Sequence, residues 1–123
     1  MKIYIAHSRE FDYQTELYAP IREDTNLPQD DIILPHEPSH DPKHSRDFYR
    51  KLDLMIAEVS YPATGLGIEL GWAADDQVPI YCLCRQDIRP SGSIYAVTNH
   101  VLTYSSSAEM LNLIEKIIQD VRK

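Results

Sequence analysis

The chain has 123 residues, 43% hydrophobic and 25% charged, the balance of a globular domain with a sizeable core. Twelve basic and 19 acidic residues leave a formal net charge of −7, which excludes the basic footprint needed for a nucleic acid polymer or an anionic membrane surface. A small anion can still be held by local backbone amides inside an acidic protein.

Residues 2–6 alternate in polarity and predict a first strand. The opening MKIYIAHS lacks signal-peptide anatomy, and no apolar run approaches the roughly 18 residues of a membrane span, so a cytoplasmic protein is expected. Residues 12–22 carry Leu17, Tyr18 and Ile21 at helical spacing, with Pro20 expected to kink or end the helix. The run DIIL over 31–34 predicts a second strand. Three prolines make 35–42 a loop, and 43–52 reads as a short helix. Residues 54–59 are apolar enough for a central parallel strand. A helix over 65–76 follows, with Glu69 expected in its first turn. Residues 78–83 predict another buried strand. Cys82 and Cys84 alternate there, so they share one sheet face and read as two buried thiols, not a redox or metal pair. A loop over 89–93 precedes a last strand over 101–104. Ser106 and Glu109 then form a capping-box pattern, opening a helix with Met110, Leu113, Ile114, Ile117 and Val121 on one face.

Strand and helix alternate about five times. This predicts one α/β domain over 1–123, flavodoxin-like (Rossmann-like), with a five-stranded parallel sheet and helices on both faces. Ligands of such sheets sit beyond the carboxyl ends of the strands, at the switch point in strand order.

The stretch DLMIAEVSYPATGLGIELGWA over 53–73 carries the chemistry. Its Gly65-Leu-Gly67-Ile-Glu69-Leu-Gly71 nearly matches a dinucleotide fingerprint. Against that reading, it follows the third strand, five residues separate strand from glycine, and Glu69 would set a negative charge against a pyrophosphate. A carboxylate near a helix N-terminus is stabilised in its ionised form. It suits attack on an anomeric carbon, whose transition state is oxocarbenium-like. The residues alone leave this reading beside another, a Glu kept for a dipole energy of roughly 0.3–1 kcal/mol.

The same stretch resembles the signature of the nucleoside 2-deoxyribosyltransferase superfamily, most closely its 2′-deoxynucleoside 5′-phosphate N-hydrolase branch. Asp53, Ala57, Glu58, Val59, Ser60, Pro62, Gly65, Gly67, Glu69, Leu70, Gly71 and Ala73 match in order. The resemblance implies cleavage of an N-glycosidic bond, with Glu69 as nucleophile and a covalent deoxyribosyl intermediate. Base exchange by a transferase, or a non-catalytic nucleotide-binding domain, are the alternatives. It implies that Tyr4 orients Glu69 and that Asp47 protonates the leaving base. Asp47 lies six residues before Asp53, about two fewer than the family spacing, which would land on Ser45; Asp53 is the fallback. For the phosphate it implies Ser8, with Arg9 beside it, Thr64 next to Ala63 (the family has serine at the latter), Gly65, Gly67, and Ser93 reaching into a neighbouring subunit. Expected partners are therefore a small deoxynucleotide or deoxynucleoside and a second copy of the chain, in a homodimer or higher homo-oligomer that Trp72 could help to pack. No cofactor and no metal are implied. His36, His40 and His44 fall every four residues, but Pro38 and Pro42 interrupt any shared helical face, and a substrate-covering loop is the expectation.

Overall fold

The computed structural model describes residues 1–38 and 46–123. Strands β1 (Ile3–His7), β2 (Ile32–Ile33), β3 (Leu54–Glu58), β4 (Ile80–Arg85) and β5 (Val101–Tyr104) pair in parallel in the order β2-β1-β3-β4-β5. That is the flavodoxin-like order expected. β1 and β3 are buried along their whole length, which is why they read as continuous apolar runs.

The two faces of the sheet carry separate cores. Ile3, Ile5, Ile56 and Leu83 pack under Leu17, Tyr18 and Ile21 and under Met110, Ile114, Ile117 and Ile118 of α4 (Ser107–Arg122). Tyr4, Ala6, Met55, Ala57, Cys82 and Cys84 pack under Tyr49 of α2 (Arg46–Arg50) and Leu66, Leu70 and Ala73 of α3 (Thr64–Asp75). Each such aliphatic side chain taken out of water contributes ~1.5–3 kcal/mol. The two cysteines lie side by side on the second face as free, buried thiols, and burial pushes Cys82 up to about 12.

Several boundaries differ from expectation. The helix over 12–22 is a π-helical turn, Gln14–Tyr18, running into α1 (Ala19–Glu23). Ala19 N–H reaches back five residues to Gln14 O, and the change to α register falls beside Pro20, which has no N–H to donate. β2 shrinks to two residues because a 3₁₀ turn, Gln29–Asp31, takes its first position. α3 begins at Thr64, one residue earlier than predicted, so Glu69 stands in its second turn; no acidic residue occupies the first. Ser106 Oγ accepts from Glu109 N–H at 3.2 Å, but Glu109 Oε1 returns the contact to Ser105 N–H, at 2.8 Å.

Candidate active site

The switch point in strand order lies between β1 and β3. The loop after β1 and the turn from β3 into α3 meet there around a cavity of about 530 Å³, with Ser8, Arg9 and Glu10 on one side and Gly65, Glu69 and Trp72 on the other.

Glu69 is half-buried and held from beneath. Tyr4, on the α2/α3 face of β1, donates its hydroxyl to Glu69 Oε2 in a short hydrogen bond. Tyr49, from α2, donates to the same oxygen at 2.9 Å, and the two phenol oxygens lie 3.4 Å apart. The rings meet edge to face with centroids 5.4 Å apart, and Tyr49 also packs on Trp72 at 5.3 Å. Both tyrosines are almost wholly buried, and burial raises both hydroxyls above the ordinary tyrosine value, with the Glu69 charge adding to the effect. They therefore remain protonated donors. α2 is fixed over α3 by Arg46, which pairs with Asp75 at 2.5 Å and with Asp76, and lies 5.8 Å above the Trp72 ring. This clamp aims Tyr49 at Glu69.

The other wall is equally ordered. Ser8 is buried, and its Oγ accepts from Glu10 N–H at 2.9 Å, which leaves its own proton available to donate. His7 lies 2.7 Å from the Ser8 carbonyl through Nδ1 and 2.6 Å from the Tyr18 hydroxyl through Nε2. A carbonyl only accepts, so Nδ1 carries the proton and Nε2 accepts from Tyr18. Tyr18 in turn accepts from His36 N–H at 3.0 Å, joining the first loop to the loop bearing His36. Burial lowers His7 to about 4, so the ring is neutral near neutral pH.

The expected site residues divide. Glu69, Tyr4, Ser8, Arg9 and Gly65 converge on the cavity. Asp47 does not: its side chain is 77% exposed and paired with Arg50 at 3.0 Å, because the buried face of α2 belongs to Tyr49. Asp53 lies at the amino end of β3, where its Oδ2 accepts from Lys2 N–H at 2.7 Å. Thr64 is exposed at the start of α3 and does not line the cavity. Gly67 and Ser93 line a different cavity of about 200 Å³, between α3 and a 3₁₀ turn over Gly92–Ala96. His36 reaches the main cavity, and His40 and His44 lie outside the described residues. Tyr49 and Glu10 are the additions. The only sequence signal for Tyr49 was an aromatic on the predicted helix before β3, which ordinarily means core packing.

No family model matches this chain. It is 32% identical over 71 residues to a 2′-deoxynucleoside 5′-phosphate N-hydrolase 1 of Methanosarcina barkeri, a provisional assignment, covering 55% of this chain and 45% of that protein. The Methanosarcina mazei protein of the same provisional name is 32% identical over 72 residues, 58% of this chain and 45% of its own length. The match thus spans about half the length of these relatives. Among solved structures, the CMP N-glycosidase of Clostridium botulinum superposes with a TM-score of 0.68 over 95% of this chain and 99% of its own, at 20% identity, a likeness of fold. The resemblance to the N-hydrolase branch read from residues 53–73 is borne out by these matches.

Proposed function

We propose that this protein cleaves the N-glycosidic bond of a 2′-deoxynucleoside 5′-monophosphate by double displacement on Glu69. The observation that carries the reading is the Glu69 carboxylate, pinned at Oε2 by Tyr4 and Tyr49 and facing a cavity of about 530 Å³ at the sheet's switch point. A glycine-rich helix start meant only to cradle phosphate has no use for a carboxylate restrained in this way.

Glu69 attacks C1′, and the electron pair of the C1′–N bond leaves with the base, which takes a proton. Water then attacks C1′ from the vacated side, and the C1′–O bond to Glu69 breaks. Two inversions give retention. Ser8, Arg9 and the first amides of α3 at Gly65 and Leu66, which line the cavity, are the groups for the phosphate. We assign the proton donor to Glu10, an exposed residue that lines the cavity, in place of Asp47, which does not line it. Ser93 and the exposed Ile68 and Tyr95 border the α3 surface, and we assign them to an interface between copies of the chain.

The test is incubation with a panel of 2′-deoxynucleoside 5′-monophosphates, following free base and deoxyribose 5-phosphate. Release of both, abolished in Glu69→Ala, is the expected result. Fast base exchange without free sugar phosphate would instead identify a transferase. No turnover and no covalent adduct with a slow fluorinated deoxynucleotide would leave a binding domain. Light scattering should show a dimer or larger, and a strict monomer would remove the role given to Ser93.

A further inference from the structure

We propose that Tyr49 is a catalytic residue of the second displacement, stabilising the Glu69 carboxylate as the sugar leaves it; this rests on the double-displacement reading above. The argument starts from the convergence of two donors on one oxygen. Tyr4 and Tyr49 both donate to Glu69 Oε2, the Tyr49 bond measuring 2.9 Å. An oxygen carrying two hydrogen bonds is the poorer nucleophile and the better ester carbonyl. In the proposed ester C1′ is bonded to Oε1 and Oε2 is the carbonyl oxygen, which keeps both tyrosine hydrogen bonds.

The two half-reactions then make opposite demands. In the first, the carboxylate spends its charge on the new C1′–O bond. Donors on Oε2 orient it but favour the charged ground state. In the second, water oxygen bonds to C1′, the C1′–O bond to Glu69 breaks, and its electron pair returns to the carboxylate. The proton of that water passes to the group that earlier protonated the base. Charge now grows between Oε1 and Oε2, where two preorganised donors already stand in a buried setting. Tyr49 is held for this by burial, by its edge-to-face contact with Tyr4 and by its packing on Trp72. Burial also keeps its hydroxyl protonated across the working pH range.

The experiment uses Tyr49→Phe, which keeps the ring, with a 2′-deoxynucleoside 5′-monophosphate that the wild type cleaves. A hydrogen bond to a charged group of this kind is worth roughly ten- to a hundredfold in rate. The expected result is kcat lowered by about that factor, KM lowered in parallel, and a deoxyribosyl adduct on Glu69 visible by mass spectrometry at steady state. Azide, an external nucleophile, should then speed turnover of the variant more than of the wild type. A merely structural role would slow adduct formation instead, leaving no adduct and no azide rescue, and that outcome overturns the inference. Tyr4→Phe, run in parallel, guards against a folding defect peculiar to position 49: adduct in neither variant, with both melting near the wild type, overturns it as well. A wild type that releases no base overturns the double-displacement reading itself. An active wild type whose Tyr49→Phe variant shows unchanged kcat and KM overturns only the role of Tyr49.

Discussion

At Glu69 the carboxylate's charge and its place can be separated by substitution. Glu69→Gln keeps an acceptor for Tyr4 and Tyr49 but removes the negative charge that the proposed attack on C1′ requires. Base release should fall by at least about a thousandfold, while the melting temperature stays within a few degrees because the tyrosine contacts survive. Glu10→Gln should slow base release by about a hundredfold, the usual worth of a positioned acid. Asp47→Asn should change it less than about twofold, since a 77% exposed side chain on the far side of α2 has no path to the base. Steady-state rates on one good substrate decide between them. Glu69 and Tyr4 were legible in the sequence because the dense glycine-containing motif fixes one and the strand ending in IYIAHS fixes the other. Asp47 lies away from the cavity, where the expected acid would stand, because two fewer residues before Asp53 rotate a helix by about 200°, and no sequence pattern states which side of so short a helix faces in. Tyr49 is the residue that this rotation turns toward Glu69.

The helix α3 is the element that sets the site, and it begins without a side-chain cap. Its N-cap is Ala63, extended at φ −155° and ψ 146°, with no side-chain hydrogen bond to the first turn. The first amides of any helix lack intrahelical partners, so at α3 they are offered either to water or to an anion. Ala63→Ser supplies an oxygen to one of them. It should stabilise the fold by about 1 kcal/mol, read as a rise of a few degrees in melting temperature. It should also lower KM for a 5′-monophosphate more than for the corresponding nucleoside, since the serine can still donate its proton to a phosphate. The strands of this element framework were legible: β1, β3 and β4 are runs of buried apolar residues, and β5 leads directly into a capped helix. What was not legible arose from competition over single positions. The π turn ahead of Pro20 answers a missing donor that periodicity does not register. The 3₁₀ turn at Gln29–Asp31 takes a residue from β2. The start of α3 at Thr64 moves Glu69 from first turn to second, so the tyrosine hydroxyls, more than the helix dipole, account for its orientation.

Across the whole molecule, two buried titratable groups sit at neighbouring strand ends and pull stability in opposite directions with pH. His7 at the end of β1 pairs in register with Glu58 at the end of β3. Burial lowers His7 from 6.5 to about 4, so the unfolded chain binds a proton that the folded chain refuses. The stability this neutral ring supplies is complete above 6.5 and is lost as pH falls toward about 4, up to about 3 kcal/mol. Protonation would also cancel the acceptor that Nε2 offers to Tyr18, and with it the tie to the His36 loop. Glu58 behaves in reverse. Burial outweighs its bonds from Tyr104 and from Ser60 N–H, the latter at 2.6 Å, and raises it above 4.5. The folded state therefore holds that proton more tightly, and the stability it gives is lost as pH rises from 4.5 through the raised value. Urea midpoints measured from pH 4 to 8 should fall on the acid side of 6.5 with a slope that His7→Gln flattens. Glu58→Gln should steepen that acid slope, because it removes the group that opposes His7 and so lifts the midpoints at the upper end of the range relative to those near pH 4.5. A His7→Gln protein whose midpoints fall as steeply below pH 6.5 as the wild type's would mean that other carboxylates, and not this ring, set the acid limit of the fold.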